Sequence, residues 1–401
     1  MATARTANTP RMEAPRLRQL TLTERLDGLA RRADAGDPVR PARAIFFCVL
    51  ALMALGFMVQ VSHASTTLPH AAFDAEVVDL VQFRIIGLIT LLIGYRIGPA
   101  GIERAVPFLT VLAVAGLLVV FTPLVAPING SRRWLDLPGL PSVQPSEIAR
   151  VVAILWVARR CAQLGRGVED PWRGYLPMLG FGLLLFVLIL MEPDLGGALL
   201  FMFCFGATMW VGGARPTHVA GSLATVFAAG LVFGASKFGH VRERLDVWVG
   251  NSSNDQVSRA AEAMASGDLL GVGLTQGAFR QQNLQYLQTD YVFALVGEEL
   301  GFLGMLVVIG LYCAYGYFSL RLVSSLRNRF AALVAFGLLV SVAVQAMLHM
   351  QVVTGLAPPK GMTLPFLSEG GSSLVASSLA VGLALGSVRR SPKGSLLARP
   401  A

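Results

Sequence analysis

The chain has 401 residues, 54% of them hydrophobic and 14% charged, with a mean hydropathy of +0.61. That composition excludes a soluble globular protein of this length. The net charge of +9 comes almost wholly from arginine and gathers in loops on one side of the apolar runs, so it reads as membrane orientation and not as nucleic-acid binding.

Residues 1–43 form a polar arm rich in Arg, Ala and Thr, expected to be largely disordered. Leu17 to Arg32 is a candidate amphipathic helix on the inner membrane surface. Long apolar runs then recur and predict an all-α polytopic membrane protein. Ten spans are expected, at 44–63, 80–98, 105–126, 147–163, 175–191, 195–212, 217–236, 291–318, 330–354 and 370–388. A β-barrel would alternate in short segments instead. The first run lacks a cleavage signature and reads as a signal anchor. The fourth is short and opens on Glu147, so tilt or partial re-entry is expected. Residues 44–388 make the membrane domain, with 237–290 a large extracytoplasmic loop and 389–401 a tail. Cys48, Cys161, Cys204 and Cys313 fall within apolar runs without metal or disulfide spacing and read as small buried hydrophobes.

The arginines give the orientation. Arg40 and Arg43 before the first span, Arg96 and Arg104, Arg159 through Arg173, Arg215, Arg321 through Arg329, and Arg389, Arg390 and Lys393 share one face. That face is expected to be cytoplasmic, with both termini inside. The special polar segments lie on the other face. A transporter would more often set such residues at mid-membrane on broken helices and show an internal repeat, and no repeat is evident.

In chain order, Arg84 stands near the start of the second span, more often an ion-pair member than a ligand. Gly130-Ser131-Arg132-Arg133-Trp134 places two guanidinium groups where the charge rule disfavours them, and such groups bind phosphate oxygens bidentately. Trp134 suits a membrane interface or a platform for a sugar face. In Gln144-Pro145-Ser146-Glu147, Ser146 can cap a helix and Glu147 suits its first turn. Glu192-Pro193-Asp194-Leu195-Gly196 fits only a tight turn, and Asp194 reads better as a helix cap than as a catalyst. In the long loop, Arg242 to Trp248 and Val257 to Met264 are candidate surface helices. Gly267 to Gly273 lacks the strand that a phosphate-cradling loop needs and reads as a tight turn. Asp290 then stands where polar loop becomes apolar helix, as a cap or as a reacting group. Glu298 and Glu299 lie about two turns deeper, and one is expected to pair with Arg84. Finally, prolines and glycines break the pattern between His349 and Ser373. There Lys360 can meet an anion, and Ser372 and Ser373 can cap the last helix or pack between helices.

Four of these motifs occur in register: Gly-Ser-x-Arg-Trp with Gln-Pro-Ser-Glu; Pro-Asp-Leu-Gly; Thr-Asp-aromatic-x-Phe-Ala with Gly-Glu-Glu-Leu-Gly; and Gly-x-x-Leu-Pro-Phe-x-Ser-x-Gly-Gly-Ser-Ser. Over residues 44–388 the chain resembles the SEDS family (shape, elongation, division, sporulation) of bacterial peptidoglycan glycosyltransferases. Lys360-Gly361, Thr363 and Ala263-Met264-Ala265-Ser266-Gly267 look more like its FtsW branch than its RodA branch. Three departures surround the site. Leu284-Gln285-Tyr286-Leu287-Gln288 replaces a usual Pro-Glu-x-His, Glu369 replaces a Tyr, and His349 stands for an Asn.

The resemblance implies an inverting polymerase of lipid II, joining the donor MurNAc C1 to the acceptor GlcNAc O4 and releasing undecaprenyl diphosphate. It implies Asp290 as general base. Arg132, Arg133 and Lys360 become candidate diphosphate partners, and Trp134, Gln144, Ser146, Glu147, Asp194, Ser368 and Ser372 candidate substrate contacts. Arg84, Glu298 and Glu299 are then structural. No fixed metal-ligand spacing is present, and a divalent cation, Mg or Mn, is carried by resemblance only. A class B penicillin-binding protein and other division proteins are the implied partners, in the bacterial cytoplasmic membrane with the site facing outward. The competing readings are a lipid II flippase, a RodA-like elongation polymerase, and a division scaffold with weak activity.

Overall fold

Backbone polar groups cannot stay bare in lipid, and a helix satisfies them within its own segment. A computed structural model describes residues 37–123, 125, 133–135, 142–250, 255–277 and 287–389. The expected helix over Leu17 to Arg32, the residues Arg132 and Leu284 to Tyr286, and the tail from Arg390 lie outside them. The regular structure of the described residues is helical apart from one isolated bridge, Leu135 with Val143.

A helix stands at each of the ten expected places. These are α1 (Val39–Thr67), α2 (His70–Ile102), α3 (Val106–Val119), α4 (Pro145–Leu164), α5 (Leu176–Met191), α6 (Leu195–Val211) and α7 (Pro216–Lys237), then α10 (Val292–Ser325), α11 (Arg329–Val353) and α12 (Gly371–Leu385). Between α7 and α10 the long loop holds α8 (Gly239–Val249) and α9 (Asp255–Ser266). Seven described helices are long and apolar enough to cross a membrane by length and composition; α3 and α6 are apolar but shorter. In α4, 12 of 20 residues are buried. It packs on α3, α6 and α11, so Glu147 and Arg150 face protein and not lipid. Helices α2 and α12 pack most closely, and a Cβ on Gly382 would lie 2.2 Å from the Leu91 carbonyl oxygen.

Some helices outrun their apolar stretches. Helix α1 begins at Val39 and α2 at His70, well before the expected 44 and 80. Polar residues continue a helix into water at little cost, because its backbone bonds are already made.

Helix α10 is the structural centre of the site. It runs for 34 residues but breaks at Gly301 (φ 67°, ψ −167°). The break opens two backbone bonds, from Phe302 to Glu298 and from Leu303 to Glu299, and the loop after α9 fills both gaps. Val272 and Gly273 donate to the carbonyls of Glu298 and Glu299 at 3.0 and 3.1 Å, while Phe302 and Leu303 donate to Asp268 and Leu269 at 2.9 and 3.2 Å. The glycine run read as a tight turn is therefore an insertion into a helix. Gly271 (φ 83°) sits so close that a Cβ would lie 2.1 Å from the Glu299 carbonyl oxygen.

The two buried glutamates secure the same loop. Ser62 of α1 donates to Glu299 Oε1 at 2.7 Å and accepts from Thr275 N at 2.8 Å, and Gly277 lies against Glu298. The expected pairing with Arg84 is not what forms. Arg84 donates to Gln60 Oε1 at 2.9 Å and to the carbonyls of Leu80 and Met53, and it stacks on Phe57. Gln60 in turn donates to the Leu367 carbonyl, so the guanidinium's side-chain hydrogen-bond partner is an amide, with the charge of Glu369 nearby.

Candidate active site

The site forms where α10 begins, under the loop joining α11 to α12. Tyr291 is the N-cap of α10 and no side chain caps that helix, so Asp290 is not used as a cap. Among the described residues no group hydrogen-bonds Asp290; the backbone of Gly361 lies against it, and a Cβ there would be 2.8 Å from Oδ2. The loop is stitched beside it. Ser368 Oγ donates to the Thr289 carbonyl at 2.6 Å and accepts from Leu364 N at 2.8 Å, and Glu369 N donates to the Gln288 carbonyl at 3.1 Å. Ser368 is 6% exposed, so Ser368→Ala strands the buried Leu364 amide. We expect a loss of about 1–3 kcal/mol, read as a lowered thermal midpoint in detergent.

Burial raises the Asp290 carboxyl to about 6, against the opposing pull of Arg244, Lys360 and Arg133. Three cations from three separate segments thus face one half-buried carboxylate. Arg133 also braces the α5–α6 turn, its Nε donating to the Glu192 carbonyl at 2.7 Å and its Nη2 to Pro193. Lys360 lies across the start of α6, where a Cβ on Gly196 would fall 1.7 Å from its Cε. Burial lowers its ammonium to about 8, with Asp194 and Glu147 partly countering. Glu192 is pushed up to about 8 by burial and by Asp194. Burial and the neighbouring Glu76 push Glu369 up to about 7.

The polar residues around this centre take partners that local sequence does not reveal. Asp194 caps α6, accepting from Gly197 N at 2.8 Å. Ser146 does not cap α4: that helix starts with Pro145 after Gln144, and Ser146 Oγ accepts from Gln144 Nε2 at 3.0 Å. Glu147 is in the first turn but pairs with Arg150 at 2.6 Å. Ser372 and Ser373 do not cap α12, whose N-cap is Gly370. Ser372 donates to the Ser142 carbonyl and accepts from Gln144 N at 3.1 Å, and Ser373 accepts from Thr363 Oγ1 at 2.7 Å. Trp134 is half-buried beside the Leu135–Val143 bridge.

Sequence reasoning missed Arg244, Arg150 and Gln345. Arg150 had a signal, a cation three residues after Glu147 in an apolar run, and so did Gln345, an amide deep in the ninth expected span. Arg244 sits half-buried on α8, where it looked like one charge on a surface helix. Among the described residues no three His, Cys, Asp or Glu side chains gather as a fixed cation site requires, and Asp290 is already faced by three cations.

Residues 42–392 match the family model FtsW/RodA/SpoVE, described as cell cycle protein. A probable peptidoglycan glycosyltransferase FtsW of Thioalkalivibrio sulfidiphilus is 34% identical over 372 residues, 89% of this chain and 90% of that one. Stage V sporulation protein E of Bacillus subtilis is 33% identical over 274 residues, 67% and 75% of the two chains. Among solved structures, a chain described under structural coordination of polymerization and crosslinking by a peptidoglycan synthase complex has a TM-score of 0.64 at 27% identity, covering 85% of this chain and 95% of that one. The rod shape determining protein RodA of Thermus thermophilus has a TM-score of 0.59 at 27% identity, covering 85% and 94%. With the family model spanning residues 42–392, and Asp290 held against Gly361 at the start of a helix that carries the Gly-Glu-Glu-Leu-Gly break, the chain belongs to the FtsW/RodA/SpoVE family of cell cycle proteins.

Proposed function

We propose that this chain is a peptidoglycan glycosyltransferase that polymerises lipid II into β-1,4 glycan at the outer face of the bacterial cytoplasmic membrane, for septal synthesis during division. The observation that carries the reading is Asp290, a half-buried carboxylate raised to about 6 and left without a hydrogen-bond partner among the described residues. A base of that strength is largely ionised at neutral pH and is basic enough to take a proton. In the proposed step Asp290 takes the proton of the acceptor GlcNAc 4-hydroxyl as its oxygen bonds to the donor C1. The bond from C1 to the diphosphate breaks with inversion, and the electron pair leaves on undecaprenyl diphosphate. Arg133, Arg244 and Lys360 supply positive charge where that group departs. Among the described residues no cluster of three metal-ligating side chains supports a resident divalent cation, and no step is assigned to Mg or Mn.

The FtsW names among the relatives support division over elongation. The structural likeness to a chain from a peptidoglycan synthase complex supports a transpeptidase partner, a class B penicillin-binding protein. The arginine distribution supports cytoplasmic termini and an outward site. The test is the full-length protein, purified with its class B partner and given labelled lipid II. Polymer is the expected product; lipid transfer across vesicles without polymer would instead mark a flippase, and neither activity a scaffold. Depletion is expected to give filaments, and round cells would move the role to elongation.

Arg244 adds a charge test. Arg244→Gln removes one of the three cations that hold Asp290 down, so the acidic limb of the rate profile moves upward by up to about 1 pH unit. A profile unmoved in kcat/KM would remove Arg244 from the site.

A further inference from the structure

Two side chains of α11 grip the last outer loop from below. Gln345 and His349 are four residues apart, so they project from one face of the helix. Both are 1% exposed. His349 Nδ1 meets the Met362 carbonyl at 2.6 Å, and Gln345 Nε2 donates to the Thr363 carbonyl and Oγ1, each at 3.2 Å. These are consecutive loop residues, and the two just before them are Gly361, against Asp290, and Lys360. Gln345 is fixed in turn, because its Oε1 accepts from Arg150 at 2.8 Å and Arg150 pairs with Glu147.

The chemistry of His349 sharpens the picture. A carbonyl only accepts, so Nδ1 carries the hydrogen and Nε2 is left as an acceptor. That acceptor is buried without a partner among the described residues. A bare buried acceptor is costly, and an apolar residue would avoid the cost. What a histidine adds over an apolar residue is the bond to Met362.

We propose that Gln345 and His349 form a two-point clamp, a pair of positioning residues that sets Lys360 and Gly361 against Asp290. The clamp deepens the reading of this site as a glycosyltransferase centre and rests on it for its effect on rate. Its geometric claim has a readout of its own. The chain has three lysines, Lys237, Lys360 and Lys393, so acylation of each is resolved by peptide mass. In detergent-solubilised full-length protein, Lys360 acylation should level off near pH 8, where its ammonium titrates. In Gln345→Leu and His349→Leu the Lys360 profile should move to higher pH, as the ammonium is freed from burial. In the polymerase assay each variant should lose about 10- to 100-fold in kcat with KM for lipid II within about twofold, as expected for misplaced reacting groups. The double variant should lose much less than the product of the two, because one device is broken twice. His349→Asn keeps a donor and should retain most of the rate, and Gln345→Glu removes the donor at constant shape should the Leu variant not fold. An unshifted Lys360 profile in the folded variants, or fully multiplicative losses, overturns the clamp. Wild-type protein that makes no polymer, with the Lys360 shift still seen in the two Leu variants, would overturn the glycosyltransferase reading and leave the clamp standing.

Discussion

Asp290→Asn is expected to lower lipid II polymerisation by about 10²–10⁴-fold while the protein stays folded and binds substrate with little change in KM. The amide keeps the shape beside Gly361 and cannot take a proton. Undiminished polymer from this variant would remove Asp290 as the base. The wild-type profile should rise through about 6 as Asp290 ionises and fall through about 8 as Lys360 loses its charge, and the variant should lose the acidic limb along with its rate.

Stability should move the other way. The carboxyl of Asp290 titrates near 6 in the folded protein and near its ordinary 3.8 unfolded, so the folded state holds this proton more tightly. Its contribution is complete below the ordinary value and is lost as pH rises through about 6. At pH 7.5 the buried charge therefore costs up to about 3 kcal/mol. Asp290→Asn should raise the thermal midpoint at pH 7.5, and the gain should vanish below pH of about 4. A variant less stable than wild type at pH 7.5 would show that this carboxylate holds the fold together.

Gly301→Ala is expected to be strongly destabilising. Its φ of +67° disfavours any side chain, and the added Cβ would lie 2.2 Å from Gly271 N and 2.7 Å from the Leu269 carbonyl. The four bonds between loop and helix cannot survive that displacement, and at about 1 kcal/mol each plus backbone strain the loss exceeds about 4 kcal/mol. Asp290 would shift with the first turns of α10, so polymerisation should fall with stability. Gly310→Ala is the comparison: it lies in the same helix with nothing within 4 Å, and it should be neutral or slightly stabilising. Equal midpoints for the two variants would show that the inserted loop contributes nothing.

The ten helical runs were legible because apolar length is a local property, readable one segment at a time. Asp290, Lys360 and Arg133 were legible for a related reason, as charges of the wrong kind at a membrane lip. What local pattern could not supply was partners. Ser146, Ser372 and Ser373 stand where caps stand, yet they bind other groups: Gln144 for Ser146, Thr363 for Ser373, and for Ser372 the Ser142 carbonyl, 230 residues away. Arg84 and the glutamates Glu298 and Glu299 were all recognisable as buried charges. That Gln60 and Ser62, two residues apart on α1, would take Arg84 and Glu299 depends on how α1 lies between α2 and α10. The break at Gly301 was invisible because its warrant is the loop that fills it, and that loop's glycines resemble any turn. Arg244 was hidden in the same way, as its meaning comes from where α8 lies and not from its neighbours in sequence.

The exchange of backbone bonds at Gly301 ties two distant stretches of chain into a single opening unit. The amides of Val272, Gly273, Phe302 and Leu303 each bond across the same seam, so none can be released without unseating the others. Their hydrogens should exchange with solvent deuterium at a common rate, well below that of the loop's other amides. The seam lies about 15 Å along the helix from Asp290, so whatever slows that exchange, a bound lipid-linked sugar or an attached transpeptidase, should also steady the carboxylate above it.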